Sequence, residues 1–254
     1  MINKQRAIKI YKNRPKYTNC FVDYNNFLNI IENERFFVID KNIFILKYEN
    51  GIFKFLYFIN DVEEIIKVDD YLKEIDIPIS LEFVTKEKKE VPNFKKFGFE
   101  FYKVFSRYSV LSENRISPKV KNVKLLLASK EDSLEIYNLG KDIFDPLSDF
   151  IPSIIEIENF IDSEELFVIK SKDILGFVIY KKMPYGYDFR LSCVTPKYRA
   201  GLIGYNFVAS LPIDGKKCTC WIDDANFPAI RLNESIGFKK DGLKNYIFVR
   251  NLNK

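Results

Sequence analysis

The sequence predicts an α/β (α+β) chain built as two tandem domains, and three observations carry that prediction. Its 254 residues are long for one compact domain and suit two of about 125. Hydrophobic residues make up 47% and aromatics 16%, enough for cores and far from a disordered composition. Short apolar runs of strand character alternate with amphipathic helical segments, and the pattern recurs from one half to the other.

Taken in order, residues 1 to 33 read as a mixed polar and aromatic lead-in with a helix around Asp23 to Asn33. Arg35-Phe-Phe-Val-Ile-Asp40 and Ile43-Phe-Ile-Leu-Lys-Tyr48 flank Lys41-Asn42, a hairpin signal. Ile52 to Ile59 supplies a third strand. Asp61 to Ile75 has helical spacing and ends before Pro78. A strand at Ile79 to Val84, a short polar helix at Glu87 to Phe97 and a strand at Glu100 to Val110 complete a first domain, residues 1–115.

The segment Ser112 to Lys121 is polar, holds a proline and lacks periodicity, so it reads as a linker. A second domain, residues 122–254, follows. Its expected elements are a strand at Val123 to Ala128 and helices at Lys130 to Phe144 and Pro152 to Ile161. A hairpin of Leu166 to Lys170 with Leu175 to Lys181, a strand at Tyr187 to Val194 and a helix at Leu202 to Leu211 come next. A strand at Lys217 to Ile222, a helix at Pro228 to Ile236 and a strand at Leu243 to Val249 end it. The halves share sequence: Glu34 to Tyr48 is similar to Glu165 to Tyr180, and Phe94-Lys-Lys-Phe-Gly-Phe99 to Glu234-Ser-Ile-Gly-Phe238.

Composition narrows the function. The 40 basic and 35 acidic residues are interleaved at net +5, with no like-charge run long enough for a nucleic-acid arm. Histidine is absent, which removes Ser-His and Cys-His nucleophile pairs and most zinc sites. The four cysteines form no Cys-x-x-Cys pair, and Cys218 and Cys220 alternate along a strand as core residues do. Neither a signal-peptide pattern in Met1 to Arg14 nor a membrane-length apolar stretch is present, and a reducing cytoplasm is the expected location.

The chemistry-bearing stretch is Val194-Thr-Pro-Lys-Tyr-Arg-Ala-Gly-Leu-Ile-Gly-Tyr205, a strand end and an Arg/Gly turn that opens an amphipathic helix. Such a turn offers backbone N–H groups and the positive end of a helix dipole to an anion. Downstream lies Asn226-Phe-Pro-Ala-Ile-Arg-Leu-Asn-Glu-Ser-Ile-Gly-Phe238. In this order and spacing the two segments resemble the acetyl-CoA-binding half of the GCN5-related N-acetyltransferase (GNAT) family, with its V-x-P-x-Y-R-x-x-G-x-G/A and N-x-x-A-x-x-x-Y-x-x-x-G-F motifs. The resemblance covers Val123 to Arg250. It implies that each domain is GNAT-like, a mixed, mostly antiparallel twisted sheet flanked by helices. The N-terminal copy is degenerate, because it passes from Ile59 into its helix with no Pro-x-Tyr-Arg and no glycine turn.

The resemblance further implies an N-acetyltransferase that moves an acetyl group from acetyl-CoA to the primary amine of a small or amino-acid-like acceptor, by direct attack and without a metal. Leu191, Cys193 and Val194 would hold pantetheine and the thioester. Arg199, Ala200, Gly201, Leu202, Ile203 and Gly204 would hold the pyrophosphate, with Tyr205, Asn226 and Asn233 completing the cofactor site. Leu202 departs from the motif, standing where its first glycine belongs. Asn233 departs too, since it occupies the place of the tyrosine that protonates the thiolate; Tyr205 and Tyr246 are possible substitutes. Asp188 and Asp223 are candidate general bases. Asp142, Asp145, Asp149 and Glu156 lie where the family binds its acceptor and hint at a cationic amine. No membrane or nucleic-acid partner is expected, and a monomer or a homodimer fits equally. Two other readings stay open: a tRNA-dependent aminoacyltransferase of tandem architecture, and a non-catalytic acyl-CoA-binding module.

Overall fold

The computed structural model describes residues 2–116, 125–184, 186–199, 204–205 and 217–251. The chain forms two compact units, Met1–Val104 with Lys244–Lys254, and Phe105–Leu243. Residues 117–121 of the expected linker, and residues 123–124 of the strand expected after it, lie outside the described residues.

The first unit begins with helix α1 (Ile2–Lys12), which the sequence reading took as polar lead-in. Its charged side chains dilute the apolar spacing, yet Ala7 is fully buried, and Ile8, Ile10 and Tyr11 pack on Phe27, Ile43 and Phe58. After the short strand β1 (Tyr17–Thr18), helix α2 (Tyr24–Asn33) starts at Asp23, whose carboxylate accepts the Asn26 N–H at 2.9 Å. Strands β2 (Arg35–Ile39), β3 (Asn42–Glu49) and β4 (Ile52–Ile59) form an antiparallel meander, with the first turn at Asp40-Lys41, one residue earlier than expected. The expected helix Asp61 to Ile75 is a 3-10 turn, Val62–Val68, running into α3 (Asp69–Lys73). The polar helix expected over Glu87 to Phe97 is two 3-10 turns, Lys88–Glu90 and Phe94–Phe97, separated around Pro92, which has no N–H to continue a helix.

Strand β5 (Ile79–Thr85) lies parallel to β4 and antiparallel to residues 244–250 of the last strand, β12 (Lys239–Arg250). Arg250 fixes that last strand. Its buried guanidinium donates to Asp69 Oδ1 at 2.7 Å and to the Phe97 carbonyl at 2.8 Å. Beside it Gly98 has φ +76°, and a Cβ there would lie 3.3 Å from the guanidinium carbon, so the position suits glycine twice over.

The second unit contains residues 105–111 of β6 (Glu100–Leu111), then β7 (Leu126–Leu127), α4 (Ser133–Ile143), α5 (Ile154–Asp162), β8 (Leu166–Lys170), β9 (Ile174–Met183), β10 (Gly186–Val194), β11 (Lys217–Asp223) and α6 (Phe227–Ser235). The expected strand Val123 to Ala128 is reduced to Leu126–Leu127 among the described residues. The sheet runs β7-β8-β9-β10-β11-β6, antiparallel except for the parallel pair β10 and β11. One face buries Ile136 of α4 and Ile157 of α5 against Phe177, Ile179, Leu191 and Cys193. On the other, Ala229, Ile230 and Leu232 of α6 pack with Val178, Tyr180, Phe189 and Cys220. Helices thus cover both faces of a mixed, mostly antiparallel sheet, as the sequence predicts.

A common strand order recurs in the two units. A three-stranded meander, β2-β3-β4 or β8-β9-β10, is followed by one parallel strand, β5 or β11, and then by an antiparallel one, β12 or β6. The sequence reading divided the chain once, between residues 115 and 122. The compact units instead exchange closing strands, with residues 105–111 in the second and 244–250 in the first. Each exchanged strand follows a Gly-Phe pair whose glycine has positive φ, +76° at Gly98 and +102° at Gly237, and whose Phe99 or Phe238 is buried.

Candidate functional site

The site is built on β10. Its parallel pairing with β11 runs from Gly186 opposite Lys217 to Phe189 opposite Cys220 and goes no further, although β10 continues to Val194 and β11 to Asp223. Where the pairing stops, the register of β10 against β9 shifts between Phe189 and Leu191, a bulge that carries Arg190. Among the described residues the strand pairing of Leu191 to Val194 is to β9 alone, which leaves the other edge of Leu191 to Cys193 without a strand partner there. Leu191 and Cys193 point into the core under α4 and α5, which holds this free edge in place.

Gly176 on β9 sets how closely the two strands approach. A Cβ at Gly176 would lie 2.5 Å from the Cys193 carbonyl oxygen and 3.1 Å from the Val194 Cα. Both neighbours are backbone, so only glycine fits.

The turn after β10 is tied back to β9. Thr195 N–H donates to the Leu175 carbonyl at 2.8 Å, and its hydroxyl to the Ile174 carbonyl at 3.2 Å. Pro196–Tyr198 forms a 3-10 turn, and the exposed Arg199 donates through Nε to the Val194 carbonyl at 2.9 Å. Ala200, Gly201, Leu202 and Ile203 lie outside the described residues, as does most of the expected helix Leu202 to Leu211. Gly204 and Tyr205 are helical. A Cβ on Gly204 would meet Leu232 Cδ2 of α6 at 3.5 Å and Val194 Cγ2 at 3.8 Å, both ordinary contacts, so packing against α6 does not itself demand glycine there. Tyr205 is buried in the core beneath α6.

Of the candidate bases, Asp188 is buried on β10, directly opposite Thr219 of β11, whose hydroxyl donates to its Oδ1 at 3.1 Å. Its other oxygen pairs with Arg190 Nε at 3.1 Å. Neither partner is among the sequence candidates: Thr219 is brought to Asp188 by the register between the parallel strands, and Arg190 comes from two residues further along β10, at the bulge. Asp223, at the end of β11, accepts the Ala225 N–H at 2.9 Å and so shapes the turn into α6. Its neighbour Asp224 accepts from the Ser106 hydroxyl at 2.6 Å and from Lys240 at 3.2 Å.

Asn226 is the N-cap of α6, its side-chain oxygen accepting the Ala229 N–H at 3.2 Å. Asn233 donates to the Ala229 carbonyl at 2.9 Å, and its oxygen accepts from the Cys220 thiol at 3.8 Å. Tyr246 belongs to the first unit, opposite Phe83 in the core there. Among the acidic residues expected near the acceptor, Asp145 accepts the Leu147 N–H and Asp149 the Asp145 N–H. Glu156 completes a capping box with Ser153. Those three carboxylates serve local turns, while Asp142 is exposed at the end of α4.

Burial pushes the Cys193 thiol up to about 12 and raises Cys218 and Cys220 above the usual thiol range, so all three stay protonated near neutrality. None can serve as a ready thiolate nucleophile. Among the described residues no group of three or more His, Cys, Asp or Glu side chains gathers as a metal site, and no helix is long and apolar enough to cross a membrane.

No family model matches the sequence, nor does any curated protein. Solved structures do match. An acetyltransferase of the GNAT family from Colwellia psychrerythraea aligns at 13% identity over 96% of each chain with a TM-score of 0.57. A GCN5-related N-acetyltransferase from Sphaerobacter thermophilus aligns at 9% identity over 91% of this chain and 86% of that one, TM-score 0.60. Another from Kribbella flavida aligns at 10% identity over 98% of this chain and 69% of that one, TM-score 0.60. The chain has the GNAT fold. In this GNAT fold the part shared by motif and geometry is the parted end of β10 with the Thr195 to Arg199 turn above it.

Proposed function

We propose that this protein is an acyl-CoA-dependent N-acyltransferase that moves an acetyl group from acetyl-CoA to the primary amine of a small or amino-acid-like acceptor. The observation that carries this reading is the end of β10–β11 pairing at Phe189 and Cys220, immediately ahead of the Thr195 to Arg199 turn. A backbone edge left unpaired beside a turn that suits a pyrophosphate is what a linear nucleotide thiol carrier needs. The GNAT fold supports the general acyltransferase class.

Acetyl-CoA supplies an activated thioester when bound. In this reading the free edge of Leu191, Cys193 and Val194 holds pantetheine and the acyl carbonyl. Arg199 and the backbone N–H groups of residues 200–204 neutralise the pyrophosphate, with Tyr205, Asn226 and Asn233 completing the cofactor site, Asn226 as the cap of α6. Asp188, oriented by Thr219 and Arg190, takes the ammonium proton of the acceptor directly or through water. Asp223 is the second candidate for that role. Most of the acceleration comes from holding amine and thioester together. A thiol pKa near ~8.5 lets the thiolate leave with little help, so the lack of an acid at Asn233 lowers the rate by on the order of 10²-fold without abolishing it.

The repeated strand order and the repeated Gly-Phe turns support a tandem origin, with the first unit a degenerate copy. Cytoplasmic residence and a monomer or homodimer complete the reading. Titration calorimetry with acetyl-CoA tests it, and the expected result is saturable binding with thiol release once an acceptor amine is added. No detectable binding overturns the proposal.

One observation favours a non-catalytic acyl-CoA-binding module instead. Both polar atoms of Asn233 are engaged with Ala229 and Cys220, and Tyr205 and Tyr246 are core residues. Tight acetyl-CoA binding with no thiol release across a broad amine panel decides for that module.

A further inference from the structure

A cavity of about 360 Å³ opens in the first unit. Arg6, Lys9 and Ile10 line it from one face of α1, with Asn13 from the turn just after the helix. The β2–β3 turn contributes Asp40 and Lys41, and Pro15 and Asn60, just after β4, complete the lining. Its volume falls within the range of about 300–1,000 Å³ typical of small-molecule sites.

The charge balance of the lining is positive. Arg6, Lys9 and Lys41 are exposed cations, and Asp40 is the one carboxylate. Asp40 pairs with Lys67, whose Nζ lies 2.6 Å from its Oδ2 and is shared with Glu64 at 2.5 Å, and Arg6, Lys9 and Lys41 outnumber this single lining carboxylate. Arg6 is held in place by donating to the Asp40 carbonyl at 3.1 Å. The C-terminal end of α1 contributes a partial negative charge of about half an electron, which three full cations outweigh. The Asn60 oxygen accepts from the Lys16 N–H at 3.4 Å, leaving its amide hydrogens as donors, and Asn13 adds a second amide. Ile10 and Pro15 supply an apolar surface. This arrangement lies apart from β10 in the chain and plays no part in the acyl-transfer reading.

We propose that this cavity is a second ligand site, for a small organic polyanion that carries a phosphate or paired carboxylates on a compact carbon skeleton. Guanidinium and ammonium groups at the rim hold the anionic groups, the two asparagines donate to its hydroxyl or carbonyl oxygens, and the apolar patch covers its skeleton. A concave cavity of this size admits such a molecule and excludes a nucleic-acid duplex.

The test is ¹H–¹⁵N correlation spectroscopy and calorimetry on the full chain, with inorganic phosphate, ribose 5-phosphate and citrate as probes. The expected result is a shift of the Ile10, Asn13, Lys41 and Asn60 amides by at least one probe, and loss of at least tenfold in its affinity in Arg6→Glu/Lys41→Glu. Preference for ribose 5-phosphate or for citrate identifies the anionic group. Because the altered side chains are exposed, the double variant is expected to fold, and its amide spectrum checks this; Arg6→Gln/Lys41→Gln, expected to lose about half as much binding free energy, serves if it does not. Absence of shifts at those four amides with all three probes at about 10 mM, or equal affinity in wild type and variant, overturns the proposal.

Discussion

Gly176→Ala is a small substitution with a large expected effect, because its consequence falls on the strand proposed to hold the thioester. The added Cβ would sit 2.5 Å from the Cys193 carbonyl oxygen, whereas ordinary contact begins at 3.4 Å. The overlap, 3.4 minus 2.5 or 0.9 Å along the Cβ–oxygen direction, has to be relieved by movement of β9 against β10. Neither backbone can yield cheaply: Val194 is paired with Gly176 itself, and Thr195 is bound to the Leu175 carbonyl at 2.8 Å. Overpacking of this kind costs about 1–3 kcal/mol of stability. A displacement near 1 Å in a positioning element costs roughly 10²-fold in rate. The variant is therefore expected to unfold at lower urea, to bind acetyl-CoA more weakly and to release thiol about two orders of magnitude more slowly. Urea titration followed by circular dichroism reads the first effect, calorimetry the second and a thiol-reactive dye the third. Wild-type stability together with wild-type acetyl-CoA affinity would refute the claim that close approach of β9 to β10 shapes this site.

Two further predictions concern the ion pair that anchors β12. Arg250→Met leaves Asp69 with Lys73 at 2.8 Å as its remaining cation, so the expected loss is about 3 kcal/mol, the low end for removing one partner of a buried pair; urea unfolding of Arg250→Met, Asp69→Leu and the double variant measures the coupling, and additive losses would show that the pair contributes nothing. The pH dependence follows from the same carboxylate. Burial pushes Asp69 up, but hydrogen bonds and charge from Lys73 and Arg250 outweigh it and hold the group below its ordinary 3.8. Its folded pKa is depressed, so its stabilisation is complete above the unfolded value and is lost as pH falls through the folded one. Wild type is expected to exceed Asp69→Asn in stability at pH 6 and to converge on it in acid; a gap that stays constant down to pH 2 contradicts this assignment.

What could be read from the sequence was what local chemistry dictates. The meander β2-β3-β4 alternates and turns within a few residues, and Ile52–Ile59 appears in the structure with the bounds the sequence predicts. Asn226 is recognisable as a helix cap from its residue type and the Pro228 that follows. Gly98-Phe99 and Gly237-Phe238 announce a left-handed turn followed by a buried anchor. In each case a constraint spanning fewer than about a dozen residues determines the outcome.

Pairings between distant segments were not readable, and the functional details depend on them. Nothing in Asp188 itself says that Thr219 will stand opposite, or in Asn233 that Cys220 will engage its oxygen. Period-two alternation tells which face of a sheet a residue occupies and says nothing about which strand lies beside it. That is why the boundary at the polar segment after Leu111 and the compact units differ. A piece of chain beginning at residue 122 lacks Phe105–Leu111, the antiparallel neighbour of β11, and leaves the backbone edge from Lys217 to Asp223 unpaired next to the very strand whose parting from β10 defines the candidate site. An open edge there invites non-native pairing, so the closing strand from the first half of the sequence is part of what keeps β11 in position for the second.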